Sequence, residues 1–243
     1  MTAATLDIDM GNTRIKWRFW HNGRFEFGVS DYHNSSWLAF AATSIKPTRV
    51  RVSSVVGDQR RQQLALHCQQ HWRVCAEFAE VKDDWAGVRH GYRIREHLGV
   101  DRWLALLAAK QQIGSGIVVS CGSAVTVDVL LADGRHLGGY IVPGIGMMHR
   151  SLFSGTDAVK VDFAPHLTDL QPGNDTGEAV NKGVMTMLVG LIDHAIAIYL
   201  KNSGDRPRLL ITGGDGETVK PFLPDDSIYN PSLVLDGLAL ALP

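Results

Sequence analysis

Apolar and polar residues alternate with a period of two in six short runs along this chain, and the runs come in two groups of three. Those at about 4–9, 14–20 and 24–30 form one group, and those at about 116–121, 124–131 and 135–142 form the other. Successive side chains of a strand point to opposite faces, so segments such as Thr5-Leu6-Asp7-Ile8-Asp9 and Arg14–Trp20 read as half-buried strands. Each group leads into a helix-compatible stretch, near 35–43 and near 144–154. A meander of three strands followed by a helix, occurring twice, points to two similar α/β domains. Trp103–Gln112 has a helical pattern and Arg208–Ile211 that of a further strand. Val180, Val184, Met187, Leu188, Leu191 and Ala195 recur at helical spacing and predict a long buried helix starting near Thr176. The turn Ile113-Gly114-Ser115-Gly116 places the boundary between domains 1–113 and 114–243.

Each meander holds a glycine turn between its first two strands, Asp9-Met10-Gly11-Asn12-Thr13 in one and Ser120-Cys121-Gly122-Ser123-Ala124 in the other. Gly11 and Asn12 tolerate positive φ, which predicts a tight reversal whose backbone N–H groups can meet an anion. Asp9 at the strand end could hold Mg²⁺ through an oxygen or a water, while Thr13 and Lys16 offer a hydroxyl and an ammonium. A nucleoside triphosphate suits that set; an ordinary hairpin without a ligand suits the first turn taken alone. Two such domains packed face to face would bring both turns to one cleft.

Between the turns, Asp101 has two readings that the residues leave open. It can be the N-cap of the helical run Trp103–Ala109, or a base that accepts the proton of a substrate hydroxyl while Arg102 steadies the anion in transfer. Gly138-Gly139 through Pro143-Gly144 is either a bulged strand with a proline stop or a point of close ligand approach. Thr212-Gly213-Gly214-Asp215 is a strand-to-helix turn of the kind that receives a ribose or phosphate.

Composition narrows the classes. A chain of 243 residues with 45% hydrophobic content supports one large domain or two smaller ones. The formal net charge is −1 and the charges are spread evenly, so there is neither a basic field for nucleic acid nor a polybasic membrane arm. Arg49, Arg51, Arg60 and Arg61 come nearest to a basic cluster and read as solvated surface. The N-terminus lacks the basic start and apolar core of a secretory signal, giving a cytoplasmic expectation. Asp128 interrupts the apolar run Ile117–Ala132, and Asp193 and His194 interrupt Val184–Leu200, so no membrane span is expected. Cys68, Cys75 and Cys121 read as reduced thiols, and His67 with His71 lacks a third ligand for a metal.

Taken in order, Asp9-x-Gly11-Asn12-Thr13-x-x-Lys16, Gly91-Tyr92, Leu98-Gly99-x-Asp101-Arg102, Gly122-Ser123-Ala124-x-Thr126, Gly138-Gly139-x-Ile141-x-Pro143-Gly144, Gly173-x-x-Thr176-x-x-Ala179-x-x-x-Gly183 and Thr212-Gly213-Gly214-Asp215 resemble the motif series of the type III pantothenate kinases. The likeness spans nearly the whole chain. It implies the acetate and sugar kinase, Hsc70 and actin superfamily, with two ribonuclease-H-like domains, each a mixed sheet with flanking helices. It implies transfer of the γ-phosphoryl of ATP to the primary hydroxyl of pantothenate, the first step towards coenzyme A. By the same resemblance Asp9, Gly11, Asn12, Thr13 and Lys16 cradle ATP and Mg²⁺, Ser123 adds a hydroxyl, Asp101 is the base, and Tyr92, Gly99, Val100, Arg102 and Thr176 hold pantothenate. It also implies a homodimer with a pocket completed across the interface. An unperturbed aspartate, with a pKa of about 3.9, cannot ionise an alcohol beforehand and must take the proton as transfer proceeds.

The sequence departs from the family pattern at the second turn, which normally begins with an aspartate associated with a bound K⁺ or NH₄⁺. Here Ser120 stands in its place. A neutral oxygen binds such an ion more weakly, so cation activation is expected to be reduced, and Asp128 is a candidate to supply the missing charge. Ser123 stands for the usual threonine and Arg95 for a common proline, and neither change removes a catalytic group. Two rival classes share the scaffold: an accessory regulator of gene expression, and another small-molecule kinase or phosphatase. Retention of Asp9, Lys16, Asp101 and Arg102 speaks against the first, and the Tyr92–Arg102 segment against the second.

Overall fold

The computed structural model describes residues 4–32, 46–154 and 167–243. The helix expected near 35–43 lies outside the described residues. Strands β1 (Ala4–Met10), β2 (Arg14–His21) and β3 (Arg24–Asp31) form the first meander. Asn22 and Gly23, with φ of 51° and 73°, make the β2–β3 hairpin turn, a pair suited to positive φ at both positions. The chain continues through β4 (Arg49–Ser54), α1 (Asp58–His67) with a π-helical extension to Trp72, and β5 (Ala76–Phe78). Short strands β6 (Asp84–Trp85) and β7 (Val88–Arg89) precede α2 (Val100–Ile113).

The second meander is β8 (Gly116–Cys121), β9 (Ala124–Leu130) and β10 (His136–Pro143), followed by α3 (Ile145–Ser154). Then come α4 (Thr176–Ser203), β11 (Arg208–Thr212), the short α5 (Gly216–Val219), β12 (Ile228–Tyr229) and α6 (Leu233–Ala241). Both five-stranded sheets have the same plan. Their orders are β3-β2-β1-β4-β5 and β10-β9-β8-β11-β12, an antiparallel meander extended by parallel strands. This is the α/β architecture of paired mixed sheets with flanking helices.

Two compact units result. One comprises Met1–Ala86, Tyr92–Ala108 and Ser232–Pro243, and the other Gly87–Gly91 and Ala109–Pro231. In the first, Leu6, Ile8, Met10, Ile15, Val50 and Val52 cluster with Leu64 and Cys68. The opposite sheet face is polar, because Asp7 and Asp9 alternate with those apolar residues. Asp7 is fully buried, and Arg51 grips it while Arg18 approaches at 3.3 Å. Arg51 is therefore no part of a solvated cluster. Of the other three, Arg49 pairs with Glu77, and Arg60 and Arg61 stack over Tyr32 and Phe78. Burial of Asp7 is what draws Arg51 inward, since a buried carboxylate without a cation is costly.

In the second unit α4 starts at Thr176, as its periodicity predicts, with the Asp175 carboxylate accepting from the Glu178 N–H at 2.9 Å. Gly204, at φ 80°, ends it. Its buried residues include Val184, Met185, Leu188, Ile192, Ala195 and Tyr199, which join Ile117, Val119, Val125 and Val127 of the sheet. Met187, expected in that stripe, is instead 65% exposed, because the buried seam runs through Met185, Leu188 and Ile192. Length and composition alone would let α4 cross a membrane, but its apolar seam is part of this core. Asp128 is also buried and bonds to His136 at 2.8 Å, so its charge is already engaged within β9 and β10. His67 and His71 stack at 4.2 Å, and no cluster of metal-ligating residues occurs among the described residues. The three cysteines are free.

Candidate active site

Asp9 is the next-to-last residue of β1, and the register sets Lys16 of β2 and Ser53 of β4 on either side of it. The buried Ser53 hydroxyl donates to Asp9 Oδ1 at 2.9 Å. The Asp9 carboxyl is pushed up to about 6, mainly by burial and then by the negative charge of Asp101, with Ser53 and Lys16 opposing. Lys16 is lowered by burial, against the pull of Asp9. The negative charge of Asp101 is thus felt at Asp9 beside the Lys16 ammonium, and a multivalent cation relieves such repulsion. No third acidic or imidazole ligand joins them among the described residues. That suits Mg²⁺, which keeps waters and phosphate oxygens in its shell and takes one or two carboxylates from a protein.

The turn from Gly11 to Thr13 closes differently from the expectation. Neither Gly11 nor Asn12 has a positive φ, and the Gly11 N–H is spent on the Arg14 carbonyl at 3.1 Å. Space is tight here, since a Cβ would lie 3.1 Å from that carbonyl oxygen and the turn would have to give by a few tenths of an ångström.

Asp101 is not the N-cap of its helix. The Gly99 carbonyl accepts the Trp103 N–H at 3.0 Å, so α2 begins at Val100 and Asp101 lies in the first turn, its Oδ1 accepting the Arg102 N–H at 2.9 Å. A Cβ on Gly99 would meet Asp101 Oδ1 at 2.6 Å, so glycine at 99 makes room for the carboxylate. The buried Arg102 donates through Nη1 to the Tyr92 hydroxyl and lies 5.4 Å from the centre of its ring. Tyr92 and Arg102 therefore form one hydrogen-bonded group next to Asp101. Arg95 stays outside it, paired with Glu96 at the surface.

Ser53 is the residue of this site that sequence reading missed. Nothing marks it except its place at the end of β4, and only the pairing of β4 with β1 brings it to Asp9.

In the second unit, Ser120 holds the next-to-last place of β8, the position that Asp9 holds in β1, with Thr126 and Thr212 as its neighbours. Hydroxyls thus replace charge. The Gly122–Ser123 turn is braced from two sides. A Cβ on Gly144 would lie 2.1 Å from the Gly122 carbonyl oxygen, and one on Gly213, at φ 94°, would lie 2.1 Å from that of Cys121. Both glycine motifs thus serve close backbone packing around this turn. Thr176 lines an open, largely apolar pocket of about 810 Å³ with Gly173, Val180, Gly183, Met187 and Leu152.

Comparison with known proteins identifies the family. A family described as Type III pantothenate kinase matches residues 5–198. Two proteins named Type III pantothenate kinase, from Pseudomonas aeruginosa and Ectopseudomonas mendocina, are 37% and 36% identical, each over 98% of this chain and 98% of their own length. A solved structure from Campylobacter jejuni, named as a conserved Baf family transcriptional activator, superposes with a TM-score of 0.64 at 22% identity over 96% of this chain and 95% of its own, a likeness of fold. With most of its length matched by the family and close relatives covered end to end, this chain belongs to the type III pantothenate kinase family.

Proposed function

We propose that this chain phosphorylates pantothenate on its primary hydroxyl at the expense of ATP, opening coenzyme A biosynthesis, and that Asp101 is the base. The observation that carries the assignment of the site is the setting of the buried Asp9 between Lys16 and Ser53 at the first glycine turn, where the charge of Asp101 also acts on it. In this reading Asp9, Gly11, Asn12, Thr13 and Lys16 hold the phosphates, with Ser123 as a further nucleotide contact. Mg²⁺, brought with ATP and held at Asp9, would supply neutralisation of charge on the bridging and transferred oxygens. Lys16 adds a fixed positive charge to the same phosphates.

Arg102, hydrogen-bonded to Tyr92, offers the pantothenate carboxylate a cation already oriented by that bond. Gly99, Val100 and Thr176 complete the substrate contacts by resemblance to the family. Asp101 accepts the hydroxyl proton while the oxygen–phosphorus bond forms and the bond to the β-phosphate oxygen breaks. The proton ends on Asp101 and the negative charge on ADP. The apolar lining of the pocket at Thr176, with Met187 and Leu152 exposed, supports a homodimer in which a second copy covers that face. A cytoplasmic enzyme fits this substrate pair.

An ADP-release assay with pantothenate present or omitted tests the activity, run in K⁺ and in Na⁺. ADP release only with pantothenate is the expected result. Equal release without it would replace this reading with that of an ATPase or a kinase for another alcohol.

A further inference from the structure

α6 is held through its backbone on two sides. Against α2, Gly237 is buried, and a Cβ there would lie 1.9 Å from the Leu104 carbonyl oxygen and 2.5 Å from its carbon. Any side chain at 237 must push one helix off the other. Leu104 is one turn beyond Asp101 on α2.

Against the sheet, Arg18 Nη2 donates to the Leu235 carbonyl at 2.8 Å and Nη1 to the Asp236 carboxylate, while Arg51 Nη1 donates to the Leu242 carbonyl at 2.9 Å. Trp85 Nε1 adds a bond to the Leu240 carbonyl at 3.0 Å. Arg18 follows Lys16 by two residues on β2, and Arg51 precedes Ser53 by two on β4, so both arginines share the sheet face of Asp9. One short helix therefore touches the helix that carries Asp101 and the strands that carry Asp9, Lys16 and Ser53. Beside its buried Leu233, Leu235 and Leu238, its contacts include charged hydrogen bonds and close backbone packing, which have little give.

We propose that α6 is a strut that sets the separation of Asp101 from Asp9, with Gly237 and the Arg18–Asp236 pair as positioning residues for phosphoryl transfer. This rests on the reading of Asp101 as the base. Neither positioning group touches a reacting atom; they act by fixing where α2 stands on the sheet. A misplacement of about 1 Å at a reacting pair can lower a rate by ~10²-fold, so small displacements of this strut carry kinetic weight.

The test is a double-mutant cycle of Gly237→Ala with Asp101→Asn, measured well below the unfolding temperature of each variant. In the wild-type background Gly237→Ala should lower kcat by roughly 10–10²-fold and leave KM for ATP within about twofold. In the Asp101→Asn background the same change should alter kcat by less than about twofold, because the base it misplaces is gone. An equal loss in both backgrounds, or normal kcat in folded Gly237→Ala, overturns the strut. Should Gly237→Ala not fold, Asp236→Asn enters the same cycle, since it keeps an acceptor for Arg18 and removes the charge. Normal turnover by Asp101→Asn alone would remove the base assignment instead. The strut is then judged by the crystal structure of Gly237→Ala, or of Asp236→Asn if only that folds, where an unmoved Asp101 carboxylate relative to Asp9 refutes it and a displaced one upholds it.

Discussion

Arg51 holds the Asp7 carboxylate with two hydrogen bonds, Nε to Oδ1 at 2.7 Å and Nη2 to Oδ2 at 3.1 Å, under a helix that closes both from solvent. Arg18 shares the same carboxylate and passes on to Asp236 of α6, so two arginines and two aspartates balance in charge where α6 meets the sheet. Deleting one member leaves an uncompensated charge in the interior. Asp7→Asn is expected to cost about 3–5 kcal/mol of folding stability. Urea unfolding measures this, and a loss below about 1 kcal/mol would mean that the arginines find solvent without Asp7.

Asp9 bears on stability with the opposite sign. Its folded carboxyl titrates at about 6, above the ordinary carboxylate value of 3.8, so the folded state binds more protons than the unfolded one between those values. Stability from this group is full below the unfolded value and lost as pH rises through about 6. At pH 7 without metal or nucleotide, the charged Asp9 is therefore a burden. Asn at this position, with its oxygen still facing Ser53, should raise stability at pH 7 by on the order of 1–3 kcal/mol and give almost no gain at pH 4. Activity should vanish in the same variant. Denaturation curves at the two pH values decide it, and a destabilised variant at pH 7 would contradict the sign.

Asp101→Asn should lower kcat by roughly 10²–10⁴-fold, the range for loss of a general base, with KM for ATP little changed. The carboxamide keeps an oxygen for the Arg102 N–H, so the first turn of α2 should survive. Circular dichroism and steady-state kinetics together check both halves. Near-normal turnover would reduce Asp101 to a first-turn helix charge.

Gly144→Ala is directed at the second turn. A methyl group 2.1 Å from the Gly122 carbonyl oxygen must shift that turn or the start of α3. KM for ATP is expected to rise by about tenfold or more, with KM for pantothenate less affected. Equal rises in both constants, or none, would detach this turn from the nucleotide.

Ser120 predicts weak dependence on monovalent cations. Its paired neighbours Thr126 and Thr212 are hydroxyls, and Asp128 is buried on His136, so neither strand beside Ser120 brings it a carboxylate. Rates in K⁺ and Na⁺ should agree within about threefold, and Ser120→Asp should introduce a preference for K⁺, since carboxylates bind hard cations better than hydroxyls do. A steep K⁺ requirement of the natural chain would reverse this prediction.

Local pattern alone carried much of this molecule. Alternation placed the six meander strands to within a residue or so, and the duplication of their order followed from counting them, because strand periodicity is written in neighbouring residues. The 3.6-residue period located the start of α4 but misassigned Met187, since a long apolar helix presents more than one plausible seam. Glycine motifs were visible as motifs, although their reason was not: Gly144 and Gly213 are required by backbone atoms distant from them along the chain, and Gly99 leaves room for the Asp101 side chain.

The residues themselves thus determined strand rhythm, the repeated turn and the inventory of reactive side chains, all of which depend on short-range spacing. Tertiary structure alone decided that Arg51 is buried, that Ser53 reaches Asp9, and that α6, last in the chain, braces α2 against the sheet of the first unit. Charge burial and backbone contact depend on which segments meet in space, and no local period encodes that meeting.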